Sequence, residues 1–375
     1  MKAPVSANYI TNLSLAETSG GWSGFNAAIH ASLSRHFALN YVGPIAPPPD
    51  LAAKIRSKLW RLLGRPGSFH FFSERRLDRI ANEVERLVNR DAPMDFFHGC
   101  TPWVYFAPAV PYACYVDVCF ATYVAVYHCR TRFSSADLRR IQAMEAAWLR
   151  GATRVFFSST WALEDAVRSY ELDRSTLRVA GLGGHVPIPA ADSYTGGRDF
   201  LFIALDFAGK GGPLCIDAFE RVRSEIPEAR LHIVGERPPE AVLRLPGVVY
   251  EGRLDKSIPA ELRQLQSLLA SAFALVHPTV KDATPQVIVE AHYHGCPVIA
   301  PASFGIPEMV IDGVTGCLTT APPKAADVAE RMLWLCRHLD SYRQLRISSR
   351  ACALAHFTWD QVGDRIATEL APFVA

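Results

Sequence analysis

The sequence has no dominant charge. Its 39 Lys+Arg face 37 Asp+Glu, a net charge of +2 over 375 residues. That balance argues against a partner held by bulk electrostatics, nucleic acid above all. Charged residues are 20% of the chain and apolar ones 49%, which is a globular composition and excludes a disordered chain. Paired cysteines are also missing. The nine, Cys100, Cys114, Cys119, Cys129, Cys215, Cys296, Cys317, Cys336 and Cys352, are scattered and include no C-x-x-C. A disulfide framework and a zinc site are therefore not expected, and the reading is a reducing, cytoplasmic compartment. Lys2 precedes polar residues with no apolar run after it, so no signal peptide is expected.

Two segments raise the question of a membrane. Between Asp95 and Asp117 there is no Asp, Glu, Lys or Arg, a length able to span a bilayer. Pro102, Pro108 and Pro111 would each interrupt the backbone bonding that lipid demands, so buried strands and loops are expected instead. The segment Leu51–Arg65, LAAKIRSKLWRLLGR, is basic and amphipathic, with Leu51, Ile55, Leu59, Leu62 and Leu63 near one face. Such a helix can make a peripheral contact with an anionic membrane at its inner face. The alternative is a helix packed on its own domain with Lys and Arg turned to water, and that packing is the expectation here.

The length suggests two domains. In the second half, short apolar runs alternate with helical spacing. Strands are expected at Phe200–Leu205, Leu231–Val234, Val248–Tyr250, Phe273–Val276 and Pro297–Ala300, and helices over Pro213–Ile226, Ala260–Leu269 and Pro285–His294. That alternation predicts βαβ units and a mostly parallel, doubly wound sheet. The first half repeats it with strands at Ala7–Ile10, Phe37–Val42, Asp95–His98, Ala113–Val116 and Arg154–Phe157. Its helices are expected over Gly24–Ser34, Leu138–Leu149 (capped by Ser135) and Trp161–Tyr170. The Gly- and Pro-rich run Gly181–Arg198 reads as the connection, and Trp359–Leu370 as a last helix with no strand after it. In such sheets ligands bind beyond the carboxyl ends of the strands, so the loops there are where chemistry is expected.

Four segments carry candidate groups. In KDATPQVIVEAHYHGCPVIA, Thr284 can cap a helix and Pro285 fits its first turn, leaving backbone N–H groups suited to a diphosphate. Asp282 precedes that helix and Glu290 lies on it, and a carboxylate there can accept from two vicinal hydroxyls. The alternatives are a capping acid for Asp282 and an exposed helix position for Glu290. In FAGKGGPLC, Lys210 stands among Gly209, Gly211 and Gly212 and can reach a phosphate, or be a solvated loop lysine. In TSGGWSGF, Gly20, Gly21 and Gly24 open a helix after the first strand, as an anion loop or as a tight turn. Asp117 ends a strand as a candidate catalytic or substrate-binding acid, or as a cap, and His98 has the same two readings. His292 and His294 are two apart on a helix, face different ways and make no metal site.

Together these pieces resemble the retaining glycosyltransferases of family 4, with the GT-B fold. DATPQVIVEAHYHGCPVIAPASFGIPEMVIDGVTG is similar to that family's E-x7-E segment and the P-E-x-V-x-D-G-x-T-G that follows it. The order strand, KGG turn, helix, LHIVG and VVYEGR matches from Phe200 to Leu318, and the N-terminal Gly-Gly loop, SSTWALED and the final FTWD helix fit as well. The resemblance implies an α/β chain of two doubly wound, Rossmann-like domains facing a central cleft. Residues 1–190 would form the acceptor side, 198–355 the nucleotide-sugar side, and 356–375 a helix crossing back.

It also implies the activity and its residues. The activity is a hexosyl transfer, as in polysaccharide biosynthesis, from a UDP- or GDP-sugar to a hydroxyl of a glycan or lipid-linked glycan, with retention and without a metal or other cofactor. Asp117, Lys210 and Asp282 would act on the reacting groups. Glu290 would hold the ribose hydroxyls, Asp282 with Ala283, Thr284 and Pro285 the sugar and diphosphate, and Gly252, Arg253 and Leu254 would lie near the base. Gly20 and Gly21 would approach the diphosphate. The chain departs from the family in three places. Asp282 replaces a Glu, Leu205 and Asp206 stand where an Arg is usual, and Asp117 stands where a His is frequent. These departures motivate a rival, a catalytically inactive nucleotide-sugar-binding protein on the same fold. A second rival is a UDP-sugar epimerase.

Overall fold

The structure, a computed structural model, describes residues 5–17 and 21–373. Two compact units divide the chain. One is built from residues 5–17 and 22–181 together with the end of the chain from Trp359, and the other chiefly from Leu182–Thr358.

The first unit holds β1 (Ser6–Ile10), β2 (Ala38–Val42), β3 (Asp95–His98), β4 (Tyr112–Val116), β5 (Arg154–Phe157) and β6 (Leu177–Val179). They form one sheet in the order β2-β1-β3-β4-β5-β6, every neighbouring pair parallel. Every residue of β3 and β4 is buried, as central strands covered on both faces must be. This is the solution to the uncharged Asp95–Asp117 stretch: two strands and the 3₁₀ turn Thr101–Trp103 between them. Among the described residues no helix is long and apolar enough to cross a membrane. A buried carboxylate pins the loops above these strands. Glu145, fully buried, accepts from Cys100 Sγ (2.9 Å), Thr101 Oγ1 (2.6 Å), the Phe120 N–H (2.8 Å) and Tyr170 OH (2.5 Å). Four donors satisfy a charge that burial would otherwise penalise. The helix Trp359–Leu370 packs on this unit. Trp359 meets Phe25 edge-on at 5.1 Å, and Glu369 pairs with Arg154 (3.2 Å) and Arg178 (2.8 Å).

The second unit holds β7 (Asp199–Ala204), β8 (Arg230–Gly235), β9 (Val248–Gly252), β10 (Ala274–Val276), β11 (Val298–Pro301) and β12 (Gly316–Thr319). Its sheet runs β9-β8-β7-β10-β11-β12, again all parallel. The chain winds outward from β7 to β9, returns to the centre, and winds the other way from β10. The strand order therefore reverses between β7 and β10, which is where sheets of this kind bind ligands.

Some local expectations shift. The first helix begins at Gly21, not Gly24, and spans Gly21–Leu33. The helix expected from Leu138 spans Ser135–Gly151. Ser135 is its first residue, and Ser134, the residue before it, makes no side-chain capping bond. The helix expected from Pro285 spans Gln286–Tyr293. Pro285 is its N-cap, with no side-chain capping bond, so Thr284 does not cap it. Proline there removes no hydrogen bond, because a helix start has no acceptor for that N–H.

Candidate functional site

The site grows from the two loops at the β7/β10 switch. The helix after β7, Gly212–Glu225, starts from Gly211, whose φ of 82° is left-handed. A Cβ at Gly211 would overlap the Pro278 carbonyl oxygen in the loop after β10. Glycine is thus required both by the backbone turn and by the close approach of the second loop. Gly211→Val is expected to cost at least about 2 kcal/mol in urea unfolding, from strain plus displacement of the Pro278 loop.

That approach brings Lys210 against the loop after β10. Its Nζ pairs with the Asp282 carboxylate and lies 3.3 Å from the Lys281 carbonyl oxygen. His277 Nε2, at the end of β10, lies 3.5 Å from the same carboxylate. Burial pushes the Asp282 carboxyl up, but His277 and Lys210 more than offset it and hold it below the usual carboxylate range. Asp282 is therefore ionised and paired, and not a helix cap. Beside it, Asp206 accepts from the Gly209 N–H (2.8 Å) and pairs with Lys281 (2.9 Å). Where the resembled family has an arginine, this chain has Leu205, which is exposed, and Asp206, which carries a lysine from the opposite loop.

Glu290 sits one helical turn and a half beyond Pro285 and is completely buried, not exposed. Its Oε1 accepts the His185 N–H (2.8 Å) and the ammonium of Lys256. Its Oε2 has no hydrogen-bond partner among the described residues. A buried carboxylate oxygen without a donor is costly, and such an oxygen is suited to accept from a ligand hydroxyl. The Gly-rich connection forms a wall here. Gly184 N–H donates to Tyr293 OH (3.0 Å), and Gln286 Nε2 to the Gly183 carbonyl (3.2 Å). Burial draws His185 down to about 4, with Glu290 opposing, so its ring is neutral. No three described residues could together hold a metal ion.

The remaining candidates are placed as follows. Ala283 and Thr284 are buried in the loop that leads into the Gln286–Tyr293 helix. Gly252 ends β9 with a left-handed φ of 88°, and Arg253 after it is exposed. Leu254 is half-buried in the same loop. Asp117 follows β4 in the first unit and accepts from Ser158 Oγ (2.7 Å). His98, at the end of β3, is fully buried under the Trp22 ring (4.1 Å), and burial pulls it down to about 3. Gly21 is exposed at a φ of 59°, and Gly20 lies outside the described residues.

Comparison with solved structures bears on this arrangement of two parallel six-stranded sheets. A sucrose-phosphate synthase from Thermosynechococcus elongatus superposes with a TM-score of 0.70 at 16% identity, over 99% of each chain. WaaG, a glycosyltransferase involved in lipopolysaccharide biosynthesis, gives 0.67 at 16% identity, over 97% of this chain and 98% of its own. The fold is GT-B.

The GT-B chain also matches known sequences in part. Residues 197–338 match the family model described as glycosyl transferases group 1. The D-inositol 3-phosphate glycosyltransferase of Xylanimonas cellulosilytica is 29% identical over 223 residues, 53% of this chain and 52% of that protein. The protein of that name from Mycobacterium leprae is 28% identical over 172 residues, 43% and 39%. The chain thus spans about half the length of the curated relatives it matches, or less. Anabaena HepE, solved with UDP and with UDP-glucose, gives a TM-score of 0.66 at 16% identity in its UDP complex, over 98% of this chain and all of its own.

Four residues that contact the candidate groups escaped the sequence reading: Lys256, His277, Lys281 and His185. Lys256 is an isolated cation two residues beyond the expected loop Gly252–Leu254, and its partner is 34 positions away. His277 had one available signal, its place directly after a strand.

Proposed function

We propose that this chain is a retaining glycosyltransferase that moves a hexose from a UDP- or GDP-sugar to an acceptor hydroxyl on a glycan or lipid-linked glycan. The observation that carries the reading is the pairing of Lys210 with Asp282 at the strand-order reversal, together with a buried Glu290 that keeps one oxygen without a partner among the described residues. The group 1 match over residues 197–338 and the UDP-glucose complex of HepE support it.

In this reading the bond from the anomeric carbon to the diphosphate oxygen breaks, and a bond to the acceptor oxygen forms on the same face. The acceptor's proton leaves with the departing phosphate. Charge accumulates on the diphosphate, where Lys210 and the N–H groups at the start of the Gln286–Tyr293 helix stabilise it. Lys281 adds a second cation, so the reading calls for no metal and no other cofactor. Asp282, with Ala283, Thr284 and Pro285, orients the lysine and the donor sugar. The Glu290 Oε2 accepts from a ribose hydroxyl, and the loop Gly252–Leu254 lies by the base. The reading also assigns Asp117, Gly20 and Gly21 to the sugar and diphosphate, and the first unit to the acceptor. The last helix belongs with it.

The test is a thermal-shift panel of UDP- and GDP-sugars on the full chain, followed by donor-hydrolysis and transfer assays. A donor at a hundred times its dissociation constant is expected to add about 2.7 kcal/mol of stability. Stabilisation by one nucleotide class with turnover supports the transferase. Stabilisation with neither hydrolysis nor transfer supports the inactive binding protein, and epimerised donor with no acceptor present supports the epimerase.

A further inference from the structure

Outside the candidate site, one element contradicts ordinary packing. The helix Leu51–Leu62 is seated on the first unit, but its apolar side is not the side that is seated. Its only buried residues are Ala53 and Ser57. Ser57 Oγ donates to the Ser68 carbonyl (3.1 Å), Asp50 caps the Ala53 N–H (3.1 Å), and the Arg61 guanidinium covers the Phe133 ring at 5.5 Å. Leu51, Ile55, Leu59 and Leu62 are 68%, 59%, 54% and 74% exposed. At about 100° per residue, these four fall within one arc of roughly 80°, centred on the side opposite Ala53 and Ser57. The helix does pack on its own domain with Lys54, Arg56 and Lys58 exposed, as expected, but not through its leucines. Its own domain is met by a small residue and a serine, and the leucines point away.

The charges flank that stripe. On the same projection, Lys54 and Lys58 border it on one side and Arg56 on the other. From Leu51 to Ser73 there is no Asp or Glu, while Lys54, Arg56, Lys58, Arg61 and Arg65 are all cationic. An apolar stripe between cations is complementary to a surface that is apolar below and anionic above. A second copy of the chain fits poorly, because a twofold contact would set this acid-free basic segment against itself.

We propose that the Leu51–Leu62 helix docks the protein on an anionic lipid bilayer, in the plane of the interface. Leu51, Ile55, Leu59 and Leu62 enter the boundary between headgroups and acyl chains. Lys54, Arg56 and Lys58 meet lipid phosphates. The inference stands on this helix alone and does not depend on the transferase reading.

Co-sedimentation of the full chain with large vesicles tests it. The protein is expected to pellet with phosphatidylcholine vesicles containing about 30% phosphatidylglycerol, to stay in solution with phosphatidylcholine alone, and to be released as salt rises. Ile55→Glu/Leu59→Glu is expected to abolish pelleting with an unchanged melting temperature, since both side chains face solvent. Lys54→Gln/Lys58→Gln should lower partitioning roughly thirtyfold at low salt. The proposal fails if the wild type ignores anionic vesicles, or if the Ile55/Leu59 variant pellets as well as wild type. It fails equally if, without lipid, the wild type is a dimer that this variant splits, which would assign the face to a second copy.

Discussion

Glu290→Gln is expected to lower nucleotide-sugar affinity about a hundredfold and to remove the donor's thermal stabilisation at concentrations that saturate the wild type. The size follows from the unpartnered Oε2. A ribose hydroxyl donating to a buried carboxylate makes a charge-assisted hydrogen bond, contributing about 1.5–3 kcal/mol. The amide of glutamine keeps one acceptor but carries no charge, and its NH2 presents a donor to a donor. A second effect arises without ligand. Lys256 pairs with Glu290 in a setting where its side chain is only 15% exposed. Removing the carboxylate leaves that ammonium without its partner, at a cost of about 3 kcal/mol or more in folding stability. The two effects separate in Glu290→Gln/Lys256→Met, which is expected to regain stability without regaining affinity. Calorimetric titration with UDP, together with urea unfolding of the three proteins, checks both. An unaltered dissociation constant in Glu290→Gln would remove Glu290 from the donor site.

Lys210→Ala is expected to lower kcat by a factor of about a hundred to a thousand, with a much smaller change in KM. Charge on the diphosphate grows as the glycosidic bond breaks, so a cation aimed there acts most strongly in the transition state. The loss is larger than one charge suggests, because Asp282 then loses its ammonium partner and repels the same diphosphate. Lys210→Ala/Asp282→Asn is accordingly expected to recover part of the rate, and steady-state kinetics of donor hydrolysis would measure it. If Lys210→Ala raises KM while sparing kcat, the lysine binds the ground state only and Lys281 becomes the candidate for leaving-group stabilisation.

The conflict between local reading and structure is sharpest at the Leu51–Leu62 helix. Periodicity shows that a helix has an apolar face, and the usual inference places that face inward. Here Ala53 and Ser57 take the inward side, and Gly67 passes close over Ser57. Glu290 is the converse case. A charged residue on an apolar helix reads as exposed, yet it is buried because Lys256 and the His185 N–H arrive from distant segments to meet it.

By itself the sequence determined the elements and their class. Short apolar runs alternating with amphipathic helices can only be satisfied by parallel strands covered on both faces, and glycines at Gly209, Gly211 and Gly212 mark a tight strand-to-helix turn. It also singled out Lys210, Asp282 and Glu290 as candidates, since residue type and spacing within one loop or helix are local properties. The tertiary structure alone decided what those residues touch. Lys210 and Asp282 lie 72 positions apart and meet because the strand order reverses between β7 and β10. Asp206 receives Lys281, and Glu290 receives Lys256, by the same long-range juxtaposition. Ion pairing depends on distance and burial in space, neither of which a one-dimensional pattern encodes.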